Sequence, residues 1–208
     1  MGGQNNENNL VMRHKINLVK QYNVQTVTDI HSLKCVITRG MLPVHLDQCA
    51  ELGLTAVRVR NDTISHDVKP WEIVRLADDR DLDVHFRIED FGQEPLAERL
   101  ANNYINCATR WFEAGAAHLV ADAGEFGNTT RKLRMMNAEL FANAFGLHTV
   151  MFTAKDRQQQ EDFLSSFGEE VHLCDVPLSD VNQVEMLRTS GIYKENSVAG
   201  TRWQSNAI

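Results

Sequence analysis

The chain has 208 residues, 43% of them hydrophobic and 24% charged, with 12 Gly and 4 Pro. This composition excludes a disordered, collagen-like or low-complexity protein and is long enough to bury a core. Lys and Arg number 21 against 28 Asp and Glu, and the formal net charge of −7 is opposite to the basic footprint of a sequence-independent nucleic-acid binder. No apolar run approaches the roughly 20 residues of a membrane span. The expected setting is therefore cytoplasmic, with neither membrane nor nucleic acid as a partner.

Residues 1–22 are expected to be an N-terminal segment holding a short helix within 12–22 (MRHKINLVKQY), followed by one domain over 23–191 and a tail over 192–208. Within the domain, short β-rich runs alternate with stretches of helical period. The first run is 24–29 (VQTVTD). Leu42, Leu46, Cys49 and Leu52 then fall at helical spacing and stop at Gly53. A strand over 56–60 (AVRVR) precedes a helix opened by Pro70 and carrying Trp71, Val74 and Ala77. A strand over 84–89 leads to a helix over 95–114 ended by Gly115, and a strand over 118–123 to a helix over 132–145 ended by Gly146. A strand over 148–153 leads to a helix over 158–167 ended by Gly168, and the last strand, 171–176, to a helix after Pro177 with Ser179 as its expected N-cap.

Six strands separated by helices imply a parallel sheet. No G-x-G-x-x-G follows any of them, so a dinucleotide-binding sheet has no support. Apolar residues alternate with polar ones: Val57 and Val59 with Arg58 and Arg60, Val84, Phe86 and Ile88 with His85, Arg87 and Glu89. Such alternation fits a (β/α) TIM-barrel-like arrangement, in which one strand face meets helices and the other points inward. Cys35, Cys49, Cys107 and Cys174 are widely spaced without a C-x-x-C pair, and read as reduced thiols.

Residues 152–191 (FTAKDRQQQEDFLSSFGEEVHLCDVPLSDVNQVEMLRTSG) resemble the C-terminal part of the phosphosulfolactate synthase family, whose members run F-E-A-P-x-K-x-Q-Q-x-x-F and on through F-G-x-x-V-N-L and D-V to L-R. Gln159, Gln160, Phe163, Phe167, Gly168, Val171, Leu173, Asp180, Val181, Glu185, Leu187 and Arg188 fall in register without a gap. Residues 51–63 (ELGLTAVRVRNDT) and 113–127 (EAGAAHLVADAGEFG) resemble two further family segments. The resemblance implies a TIM barrel that adds sulfite to phosphoenolpyruvate with Mg2+. It also implies departures. Two family Glu positions hold Arg58 and Arg87, the family Arg of E-A-R-E-S-G is Gly124, and the Glu and Pro of F-E-A-P are Thr153 and Lys155. Asp122, Glu125, Asn61 and Thr63 keep their family character, Arg157 keeps the charge of a family Lys, and His172 replaces an Asn. The family's first two βα units have no counterpart, so the barrel is expected to be partial or modified, either completed by a second copy in a homo-oligomer or by a partner chain, or with its open edge covered by the N-terminal segment.

Arg58, Arg60, Arg87, Lys155 and Arg157 lie near expected strand ends, where guanidinium and ammonium groups suit a small phosphorylated or carboxylated substrate. Asn61 and Thr63 join them as expected substrate-binding residues. Asp122 and Glu89 are the expected Mg2+ ligands, Asp122 with a catalytic role as well. His172 and His85 are the expected proton carriers, with a hydrogen-bonding or core role as the alternative for each. The leading reading is a lyase or synthase acting on a phosphoenolpyruvate-like acid by addition or elimination through an enolate. The alternative is a catalytically inactive relative that works by association.

Overall fold

The computed structural model describes residues 3–22, 24–28, 36–37, 39–60, 69–88, 98–122 and 131–190. Among them are seven helices of at least nine residues and five strands: α1 (Gly3–Lys20), α2 (Leu42–Leu52), β1 (Ala56–Arg60), α3 (Pro70–Asp78), β2 (Asp83–Ile88), α4 (Glu98–Glu113), β3 (His118–Ala121), α5 (Arg131–Phe145), β4 (Val150–Thr153), α6 (Arg157–Phe167), β5 (His172–Cys174) and α7 (Val181–Thr189). The strands form one parallel sheet in the order β1-β2-β3-β4-β5. The fold is α/β, a partial TIM-barrel-like succession of βα units with five strands where six were expected. The sixth, at 24–29, reduces among its described residues to a single parallel bridge, Val27 to Ala56.

The chain divides into two compact units, Met1–Glu89 with Leu96–Val120 and Asp90–Pro95 with Ala121–Ile208. In the first, β1 and β2 pair in register, Val57 with Val84 and Val59 with Phe86 on one face, Arg58 with His85 and Arg60 with Arg87 on the other. The four apolar residues are at most 2% exposed. They pack with Leu46, Ile73, Ala77 and Trp111 in the core of this unit, where the Phe86 and Trp111 rings stack at 4.7 Å. Helix α2 stops where the sequence puts its glycine: Gly53 is left-handed at φ 85°, and the cap returns hydrogen bonds to Ala50 O and Cys49 O. Helix α1 is longer than the expected short one, 18 residues, and anchors through Ile16, which is 4% exposed.

In the second unit Phe152 of β4 stacks on Phe163 and Phe167 of α6 at 4.8 and 5.2 Å, a consequence of the F-x-x-x-F spacing that puts both α6 rings on one helix face. Gly168 ends α6 with φ 83° and ψ −171°, a conformation open in practice to glycine alone. Ser179 does not cap α7; Asp180 stands at that position, and the Ser179 hydroxyl donates to its carboxylate at 2.8 Å. Cys49, Cys107 and Cys174 are not disulfide-bonded, and no described helix is long and apolar enough to cross a membrane.

Candidate functional site

In the first unit the expected basic residues share one face of the sheet because their positions pair across parallel strands. Arg58 lies beside His85, and one pleat further toward the strand ends Arg60 lies beside Arg87. Cross-strand partners in a parallel pair sit about 5 Å apart on the same face, so the guanidinium-bearing positions are neighbours. Burial is deep here: Arg87 is 6% exposed and His85 1%. The His118 ring meets His85 edge-on, 5.0 Å between centroids. Burial first, then the nearby His118 and Arg58, depress the His85 pKa to about 4. The imidazole is therefore neutral at pH 7, and neither ring nitrogen makes a hydrogen bond with a described residue. His118 was not among the expected site residues, although its alternation with Val120 and Asp122 in HLVAD was visible.

The second unit holds Asp122, fully buried just past the end of β3. The Thr153 hydroxyl donates to its Oδ1 at 2.7 Å, and the Lys155 ammonium donates to its Oδ2 at 3.1 Å. Lys155 lies in the turn from β4 to α6, and that turn is fastened from three directions. The Lys155 amide donates to Gln159 Oε1 at 2.8 Å, and the Gln159 amide donates to the Asp156 carboxylate that caps α6 at 2.9 Å. Gln160 donates to Ala154 O at 3.3 Å and to Asp180 at 3.2 Å. The paired glutamines thus position the turn that carries Lys155, a role the bare motif does not reveal. Arg188 likewise ties α7 to the chain entering β5 by donating to the Glu169 and Val171 carbonyls.

Other expected residues fall elsewhere. Arg157 sits in the first turn of α6 and pairs with Glu161 one helical turn on at 2.7 Å, its side chain 68% exposed. His172 opens β5 and is exposed, level with Met151 rather than with Thr153. Asn61, Thr63, Glu89, Glu125 and Cys35 lie outside the described residues. Among the described residues no group of three or more His, Cys, Asp or Glu is placed to hold a metal ion. Asp122 accepts from a hydroxyl and from an ammonium, and an ammonium competes with a divalent cation for the carboxylate rather than binding it. The described donors therefore do not fit Mg2+.

A model of the (2R)-phospho-3-sulfolactate synthase (ComA) family matches residues 2–193. Phosphosulfolactate synthase of Methanocaldococcus jannaschii is 21% identical over 187 residues, which cover 86% of this chain and 74% of the relative. The family match runs through both units, from α1 past the end of α7, and takes in the arginine-bearing strands as well as the glutamine-fastened turn: the chain belongs to the (2R)-phospho-3-sulfolactate synthase family.

Proposed function

We propose that the chain joins sulfite to phosphoenolpyruvate, or carries out the corresponding addition or elimination on a similar small phosphorylated or carboxylated acid, through an enolate. The supporting observation is the face that brings Arg60 beside Arg87 and Arg58 beside His85. Two guanidinium-bearing positions side by side on adjacent strands, one of them buried, bring positive charge together on one face of the sheet, an arrangement that suits a multiply charged anion. Bidentate hydrogen bonds from arginine suit both the carboxylate and the phosphate of such a substrate.

In the addition, sulfur forms a bond to C3, the C2–C3 π pair moves into the carboxylate as an enediolate, and a proton drawn from bisulfite or water is delivered to C2 while the phosphate ester stays intact. Arginines gripping the carboxylate stabilise the charge that develops there. His85, neutral at pH 7, serves as a hydrogen-bonding group or, in elimination, as a base; it is not an imidazolium acid at that pH. The same depressed pKa keeps a further positive charge from building up beside Arg58.

The test is turnover of phosphoenolpyruvate with sulfite followed by 31P NMR, where addition yields a new phosphate ester and no inorganic phosphate. Thermal-shift measurements with phosphoenolpyruvate, sulfite, phosphate and simple carboxylates run beside it. A phosphorylated acid at 100 times its Kd raises stability by about 2.7 kcal/mol, roughly 5–10 °C for a chain of this size. Mg2+ and EDTA arms accompany every sample, and no step of the reading runs through the metal. Wild-type turnover in both Arg87→Ala and Asp122→Ala would refute the assignment.

A further inference from the structure

We infer that the Lys155 ammonium takes the place of a divalent cation at Asp122, so that this chain handles its anion without a bound metal at that strand end; the inference rests on the anion-binding reading above. Asp122 is fully buried, and a buried carboxylate requires a compensating positive charge. The structure supplies it from within the chain, as Lys155 Nζ stands 3.1 Å from Oδ2. Oδ1 is taken up by the Thr153 hydroxyl at 2.7 Å. Both partners stand at positions where the chain departs from the F-E-A-P pattern it resembles: Thr153 replaces a carboxylate and Lys155 a proline. The donor set at this strand end is one carboxylate, one hydroxyl and one ammonium, where a second carboxylate at position 153 would suit a hard divalent ion.

The exchange is built in. The turn bearing Lys155 is held by the Gln159 side chain on its amide and by Gln160 on Ala154 O. The Lys155 side chain is 44% exposed, so the compensating charge reaches the buried Asp122 from the surface side of the strand end. Lysine acts here as a compact point charge that compensates the buried carboxylate.

Direct titration of the EDTA-stripped full-length chain with Mn2+, read by electron paramagnetic resonance, tests the inference without needing any substrate. The wild type is expected to bind no stoichiometric Mn2+ below millimolar concentration. The Thr153→Glu/Lys155→Ala double variant, which restores two carboxylates and removes the ammonium, is expected to bind one Mn2+ per chain, with a Mn2+-dependent rise in Tm that the wild type lacks. One tight Mn2+ per wild-type chain, lost in Asp122→Asn, would overturn the inference. So would a double variant that matches the wild-type circular dichroism and binds no Mn2+; if that variant fails to fold, the wild-type and Asp122→Asn titrations decide alone. Failure of every anion to bind would instead remove the proposed function and leave the metal result standing.

Discussion

His85 offers a quantitative check of the arginine-lined face. Its pKa is held near 4 in the folded chain against an ordinary 6.5, chiefly because the ring is buried. Between these two pH values the unfolded chain binds a proton that the folded chain does not, so stability falls as pH drops through this window and the loss levels off below about 4. At pH 5 the linkage amounts to about 2 kcal/mol relative to pH 7.5. For a chain of this length that is a Tm difference of about 4–8 °C. The perturbation is His85→Gln, which keeps a polar side chain of similar reach and removes the titration. Thermal or urea unfolding of both proteins from pH 7.5 to 4 gives two curves, and their difference cancels every other titrating group. The wild type is expected to lose about 2 kcal/mol more than the variant on going to pH 5. A His85 ring-proton resonance that titrates near 6.5, or parallel pH curves for the two proteins, would refute the burial and charge argument together.

Replacing Arg87 by Met removes charge-assisted hydrogen bonds worth about 1.5–3 kcal/mol and is expected to weaken phosphoenolpyruvate binding by about 10- to 150-fold in calorimetry; unchanged affinity would take Arg87 out of the site. Thr153→Val keeps the shape but leaves Asp122 Oδ1 without its buried donor, and should cost about 1–3 kcal/mol in urea unfolding at pH 7. Phe163→Ala opens the three-ring stack against β4, with an expected loss of about 3–5 kcal/mol by the same assay. Gly168→Ala, which forces a Cβ into a conformation left to glycine, should cost about 1–3 kcal/mol although no neighbour lies within 4 Å of that Cβ; a neutral result would show that the end of α6 relaxes freely.

Much of the fold is legible because its signals are local. Gly53, Gly115, Gly146 and Gly168 each adopt positive φ, and each lies where a helical period breaks, so helix ends could be read to within a residue or so. The alternation Val57-Arg58-Val59-Arg60 maps directly onto an apolar and a charged face. The expected strand at 24–29 carries an equally strand-like composition, yet its described residues, 24–28, give a single bridge. Thr26 O accepts from the Ala56 and Thr55 amides, and Thr28 N donates to Ala56 O, after which Val24 stands half exposed. Strand propensity reports fit to a half-buried surface, and with Val24 half exposed the start of the segment has no such surface to fit. Ser179 and Asp180 are both good N-cap types, and only the position of the first helical amide separates them.

The candidate site divides along the same line. A period of two assigns a side chain to a face but does not reveal what covers that face. His85 and His172 share that parity, yet His85 is 1% exposed in β2, with neighbours on both sides, while His172 is exposed in the three-residue strand that ends the sheet order. Retained charge is similarly mute about direction: Arg157 keeps a positive charge, but its place one turn before Glu161 makes it half of a surface pair worth a fraction of a kilocalorie. The Asp122 group was harder still, because its members are 31 and 33 residues apart and come together only through the ends of β3 and β4. Each of the three has an ordinary solitary explanation: a buried acid, a strand threonine, a loop lysine. Their meaning lies in the two distances that join them, which show that a carboxylate expected to attract a metal already holds a cation from its own chain.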